Sequence, residues 1–151
     1  MPNTDKILQI NSLLKADFKF LGKEKDLESY ILENIHDIAL NCNWGEIEKV
    51  ESQKSIKTKN GRIQVDILIY HKNGTATLIE VKQSRTNKNS TLSAIGQLFY
   101  YSTVIKSWCE NKPRLVIVSD QILPELYETV KDNNLLISSL MIDGDRCIYL
   151  T

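Results

Sequence analysis

The chain has 151 residues, 42% of them hydrophobic and 25% charged, with six glycines and three prolines. That is the composition of one globular domain, long enough to bury a core without disulfide or metal staples. Three scattered cysteines (Cys42, Cys109, Cys147) and two histidines (His36, His71) give no disulfide framework and no zinc-ligand spacing, and they supply a Ser-His-Asp enzyme poorly.

No apolar run approaches the roughly 20 residues of a membrane span. The N-terminal stretch MPNTDKILQINSLLKADFKF is charged too often to be a signal peptide. A cytoplasmic location is therefore expected, in the protein's own cell or in a host cell, with no membrane partner. No repeat or linker interrupts the sequence, so residues 1–151 read as one domain.

Residues 6–15 are expected to form a short leading helix. Gly22-Lys23-Glu24 opens a stronger one, with Leu27, Ile31, Ile35 and Ile38 on one face, running to about Ala39. Asn41 to Asn43 are turn-like, and Gln53–Thr58 reads as an exposed strand. Asn60-Gly61 is a hairpin signal, followed by the alternating strand Arg62–Tyr70 and a second turn at Lys72-Asn73-Gly74. Ala76–Val81 is apolar enough to be a central strand. Gln83–Ser90 is a polar loop, and a helix starts at Ser90 or Thr91 and ends near Glu110. Arg114–Val118 is a strand reached through that helix, which implies a parallel crossover. Leu123–Asp132 is a helix with Pro124 in its first turn, and Leu135–Ser138 and Cys147–Leu150 are strands.

Charge is uneven along this neutral chain. From Lys49 to Lys88 there are nine basic residues against Glu51, Asp66 and Glu80, a local charge of +6 balanced by −6 elsewhere. A basic face on an acidic body suits phosphate binding, although such a run is also what a solvated surface looks like.

The chemistry concentrates in the middle hairpin. Asp66 interrupts an apolar strand, and Glu80 and Lys82 flank Val81 at the end of the next. Residues two apart on a strand share a face, so Glu80 and Lys82 project together while Val81 turns away. A turn at residues 71–75 can bring Asp66 close to Glu80. Three ionisable groups at one corner of a sheet are costly unless paired or used. They could be a sheet-edge salt bridge. They also match what Mg²⁺ requires: oxygen ligands from Asp66 and Glu80, with the Val81 carbonyl as a third. Lys82 would then orient or deprotonate the attacking water, or bind the attacked phosphate.

GRIQVDILIY, TLIEVK and AIGQLFYY together resemble the core motifs of the PD-(D/E)XK nuclease superfamily, and GKEKDLESYILEN resembles the first helix of its RecB-like and NucS-like branch. The similarity covers about residues 22–120. It implies a restriction-endonuclease-like α/β fold, a mixed β-sheet flanked by helices with an αβββαβ core. It implies a Mg²⁺-dependent nuclease, with Mn²⁺ as substitute, acting on DNA. It adds a helix glutamate to the site, Glu24 by motif alignment with Glu28 as rival, and a Gln-x-x-x-Tyr pair matched by Gln97 and Tyr101. The family's proline before the Asp is replaced by Val65. Asp66, Glu80, Lys82, Gln97 and Glu24 are thus the expected catalytic set, and Asp66, Glu80 and Val81 the metal ligands. Tyr101 is expected to contact nucleic acid, as are Arg85 and Lys88 from their place in the polar loop beside the site, although a solvated loop would carry the same residues. A homodimer would supply the second cut of a duplex, and in a larger nuclease complex partners would supply recognition. The alternative is a nucleic-acid-binding or assembly subunit that keeps the fold without catalysis.

Overall fold

The computed structural model describes residues 7–9, 24–82, 88–106, 111–119, 124–133, 135–143 and 146–150. In chain order the elements are β1 (Ile7–Gln9), α1 (Glu24–Glu33), α2 (Ile35–Asn41), β2 (Ile47–Thr58), β3 (Gly61–His71), β4 (Ala76–Lys82), α3 (Lys88–Ile105), β5 (Arg114–Ser119), α4 (Pro124–Asp132), β6 (Ile137–Asp143) and β7 (Arg146–Leu150). The strands form one sheet in the order β1-β7-β6-β5-β4-β3-β2.

β2, β3 and β4 run antiparallel to one another, whereas β4, β5 and β6 are parallel and joined by helices. This is a mixed α/β sheet flanked by helices, the restriction-endonuclease-like architecture expected from the sequence. β4 lies inside the sheet with every residue from Ala76 to Val81 buried, as its apolar run requires. The β2–β3 turn falls at Asn60-Gly61, where Gly61 takes φ 131°, a conformation that side-chain-bearing residues rarely adopt.

The sheet separates two cores. On one face Ile67, Ile69, Ile79, Val81, Val116 and Val118 pack with Leu27 and Ile31 of α1, Ile35 and Ile38 of α2, and Trp44. On the other, Leu68, Leu78, Leu115 and Ile117 pack with Ala94, Leu98, Tyr101 and Ile105 of α3. Among the described residues no helix is long and apolar enough to cross a membrane.

Two expectations need correction. Residues 7–9, inside the span read as a leading helix, are a strand paired antiparallel with β7. The open edge of β7 offers unpaired backbone groups, and pairing with them outweighs a weak local helix preference. The rest of 6–15 lies outside the described residues, save for these three. The single helix expected to about Ala39 is two, broken at Asn34, whose side-chain amide donates to the Tyr30 carbonyl at 2.9 Å. An asparagine amide that takes a backbone acceptor competes with helix continuation. α2 then closes on the left-handed Asn43 (φ 57°), with the Trp44 N–H donating to the Ala39 carbonyl at 2.9 Å and the Asn43 N–H to Leu40 at 3.2 Å. That is the Schellman pattern, and it delivers Trp44 into the core.

His71 is buried at the far end of β3. Its Nδ1–H donates to the Gly45 carbonyl at 3.2 Å, and Nε2 accepts from the Thr77 hydroxyl at 2.7 Å. Arg114 donates to the Thr77 oxygen and to the Trp44 carbonyl. The neutral ring is thus fully satisfied, and burial, then the nearby Arg114 charge, lower its pKa from the ordinary value. A lowered folded-state pKa means that the unfolded chain binds the proton more readily, so stability falls as pH drops below the ordinary imidazole value. Melting temperature should decline between about pH 7 and about pH 5, and the decline should be shallower in a His71→Gln variant. Parallel melting curves for the two proteins would show it.

Candidate active site

Asp66 sits where β3 leaves β4. The β3–β4 pairing ends at Ile67↔Ile79, and just beyond it Asp66 Oδ2 accepts the Val81 N–H at 2.9 Å. The carboxylate is therefore fixed against the backbone of the residue between Glu80 and Lys82. Across the hairpin, between the rungs Ser52↔Ile67 and Lys54↔Val65, stands Gln53. It holds φ at +50°, an uncommon backbone conformation for glutamine.

That conformation re-aims the two strands. Val50 packs with the α1–α2 core and Ile56 with the α3 core, although six residues apart should share a face; Val65 and Ile67 are split likewise. The register runs unbroken through this point, with Gln53 opposite Asp66, so it is the turned backbone of Gln53 and not an extra residue that lets Ser52 and Gln53 both line one cleft on the α1 side. The cleft is about 650 Å³ and is walled by Glu28, Ser29, Leu32, Ser52, Gln53, Asp66 and Val81.

Within it, Gln53 Nε2 donates to Glu28 Oε2 at 2.8 Å and to Asp66 Oδ1 at 3.3 Å. One amide nitrogen thus stands between two carboxylates that would otherwise repel. Carboxylates only accept, so the NH₂ end must face them. Glu28 is the α1 carboxylate that the described side chains bring to Asp66. The side chain of its rival Glu24, which begins α1, lies outside the described residues, as do the side chain of Lys88 and the whole of Arg85.

Glu80 and Lys82 alternate with Leu78 onto the α3 side of the sheet. Lys82 Nζ lies 3.3 Å from Glu80 Oε1, and Glu80 is 5% exposed. Above them, Tyr101 is 8% exposed, and its phenol pKa is raised first by burial and then by the charges of Glu80 and Asp66. One phenol therefore feels both carboxylates. Gln97 shares the helix face of Tyr101, and its side-chain oxygen is buried without a hydrogen-bond partner among the described residues. The site therefore has two walls, Glu28 with Gln53 on one side and Glu80, Lys82, Gln97 and Tyr101 on the other, and Asp66 stands at the seam.

All the anionic donors are oxygens, which fits a hard divalent cation. Among the described residues no three His, Cys, Asp or Glu side chains are gathered into a cage. A cation here would therefore be held as Mg²⁺ usually is, by one or two carboxylates with a carbonyl, waters and substrate phosphate. Cys42, buried under α2, has its thiol pushed up to about 12 by desolvation and belongs to the core.

Sequence reasoning passes over Gln53, because a glutamine in a polar edge strand carries no signal. The trace of it is the broken alternation from Val50 to Ile56. If the amide stands in for a cation, Gln53→Ala should lower the melting temperature without metal and enlarge the rise that Mg²⁺ produces. A smaller rise than in the wild type would instead make the Gln53 carbonyl oxygen a ligand.

No protein-family model matches the sequence, and no curated protein matches it. Solved structures do. A repair endonuclease from Pyrococcus abyssi superposes with TM-score 0.56 at 15% identity, covering 84% of this chain and 50% of that one. Can2 from Sulfobacillus thermosulfidooxidans, in complex with cyclic tetra-adenylate, superposes with TM-score 0.53 at 13% identity, covering 81% of this chain and 30% of that one. The chain spans half the length of the first and less than a third of the second. At these identities the likeness is one of fold, and the fold is nuclease-like.

Proposed function

We propose that this chain is a metal-dependent nuclease that hydrolyses phosphodiester bonds of DNA. The observation that carries the reading is the Asp66 carboxylate fixed on the Val81 amide, between Glu80 and Lys82, at the open end of a nuclease-like sheet. Asp66, Glu80 and the Val81 carbonyl would hold Mg²⁺, or Mn²⁺ in its place, with Glu28 or Glu24 as the helix carboxylate. When bound, the ion lowers the pKa of a coordinated water and offsets the charge gathering on the phosphate.

The chain's own groups do the rest. Asp66 is held by two donors, so its free lone pairs keep one direction. Lys82, held 3.3 Å from Glu80, would orient or deprotonate the attacking water or steady the attacked phosphate. The buried amide of Gln97 offers a further polar contact to that water, and the Tyr101 phenol closes the α3 side. Arg85, Lys88 and Tyr101 would meet the substrate backbone. One site cuts one strand, so duplex cleavage calls for a homodimer or a second subunit.

The test is cleavage of plasmid, linear duplex, single-stranded DNA, branched DNA and RNA, each with Mg²⁺, Mn²⁺ or a chelator. Cleavage of at least one DNA substrate that the chelator abolishes is the expected result. No cleavage of any substrate with either metal would leave the nucleic-acid-binding or assembly subunit as the better reading.

A further inference from the structure

The β2–β3 hairpin is longer than the sheet that supports it. Pairing between β3 and β4 stops at Ile67↔Ile79, whereas β2 and β3 stay paired to Thr58↔Gly61. Residues beyond Gln53 and Asp66 therefore leave the site as a two-stranded ribbon. One side of it, Ile56, Ile63 and Val65, packs with the α3 core.

The other side continues the face of the cleft. Directly paired residues share a face, and here the rungs are Ser55↔Gln64 and then Lys57↔Arg62, all four exposed. Lys59 and Asn60 form the exposed turn. Residues 54–65 carry Lys54, Lys57, Lys59 and Arg62 and no acid. Lys72 and Lys82 each sit in an ion pair, with Glu46 and Glu80, and Lys49 and Lys54 share the one carboxylate of Glu51. Lys57, Lys59 and Arg62 form no ion pair among the described residues. The Arg62 guanidinium leans back along the ribbon to the Ser55 hydroxyl at 3.5 Å.

We propose that this face of the ribbon is a binding track for the phosphate backbone of the nucleic acid on its way to Asp66. Ser55 and Gln64 are the neutral first rung, and Lys57 and Arg62 the cationic second. Four residues of strand from Asp66 to Arg62 reach about 14 Å, or roughly four nucleotide steps of a duplex strand. The carboxylates repel phosphate and need a cation to accept it, whereas the ribbon attracts phosphate unaided. Binding along the track is therefore independent of metal and sensitive to salt. The proposal deepens the nuclease reading by naming where substrate is held, and it rests on that reading only for what happens at the carboxylates.

The test is binding of a fluorescein-labelled DNA duplex, and of one of its strands, to the full chain in chelator across a salt series. The variants are Lys57→Glu with Arg62→Glu, and a control of equal charge change, Lys106→Glu with Lys112→Glu. Both control lysines are exposed, and Lys112 precedes β5 at the opposite end of β4 from Lys82. The ribbon variant should bind at least about tenfold more weakly at low salt, and its salt slope should shrink by about 1.4–1.8 for two lost phosphate contacts. The control should lose less than half as much on a logarithmic scale. Equal losses in the two variants, or no binding by the wild type, would overturn the track. Wild-type binding through the ribbon without cleavage under Mg²⁺ would leave the track standing and remove the nuclease. Cleavage that the ribbon variant retains with unchanged KM would remove the track and leave the nuclease.

Discussion

Asp66→Ala is expected to lower Mg²⁺-dependent cleavage by more than about a hundredfold, since losing even an outer partner of a metal ligand costs about 10–100-fold. Glu80→Ala should do the same. The variants differ in stability for reasons visible in the fold. Asp66 accepts the Val81 N–H at 2.9 Å, so alanine there strands a buried donor, at a cost of roughly 1–3 kcal/mol. Asp66→Asn keeps an oxygen for that N–H, loses the charge and turns an NH₂ on the exposed Gln53 amide, and should be inactive with a smaller fall in melting temperature than alanine causes. Lys82→Ala should retain the metal-dependent rise in melting temperature and lose rate, if Lys82 acts as proposed on water or phosphate and not on the ion. If Glu80 and Lys82 are only a structural pair, removing either would lower the melting temperature, and activity would fall only through unfolding. Melting curves with and without Mg²⁺, beside rates measured well below the transition, separate the two cases.

The second large effect is structural. Trp44 is 1% exposed and packs in the core between the sheet and α1–α2. It also closes the end of α2 through its backbone, and its carbonyl accepts from Arg114 at 3.3 Å. Trp44→Ala should cost roughly 3–5 kcal/mol, the range for a large buried aromatic. The backbone bonds to Ala39 and Arg114 survive the substitution, so the loss is that of the side chain. Chemical denaturation should show the midpoint fall without a change in slope. A cost below about 1 kcal/mol would mean that α1 and α2 are not anchored through this ring.

Those two positions also show what was legible beforehand. The strands around Asp66 and Glu80 were readable because alternation and an apolar run each have one simple cause, burial on one face or on both. Asn60-Gly61 was readable because few dipeptides tolerate its turn. The β1 strand was not, because its reason for existing is the edge of β7, about 140 residues further along the chain. Asn34 breaks a helix that its apolar neighbours Ile31, Ile35 and Ile38 would otherwise continue, and only the partner of its amide explains why.

The site was legible as a list and less so as a shape. Asp66, Glu80 and Lys82 stand out by residue type and spacing, whereas Glu28 enters only as the rival of Glu24, one turn later on the same helix face. Their division between the two faces of the sheet follows from the reversal of alternation at Gln53 and Asp66, which depends on one backbone angle of Gln53. No periodicity argument reaches an angle at a single residue. Glu24 keeps its place in the proposal on motif alone, and Arg85 and Lys88 on their charge and their nearness in sequence to Lys82.

The central claim is that Asp66 belongs to a centre that cuts nucleic acid with a metal ion. The most direct measurement is a time course of supercoiled-plasmid nicking by wild-type and Asp66→Asn protein, purified identically, in Mg²⁺ and in chelator. The account predicts nicking by the wild type in Mg²⁺ alone and none by Asp66→Asn in either. Equal nicking by the two proteins, or nicking by the wild type in chelator, would contradict it.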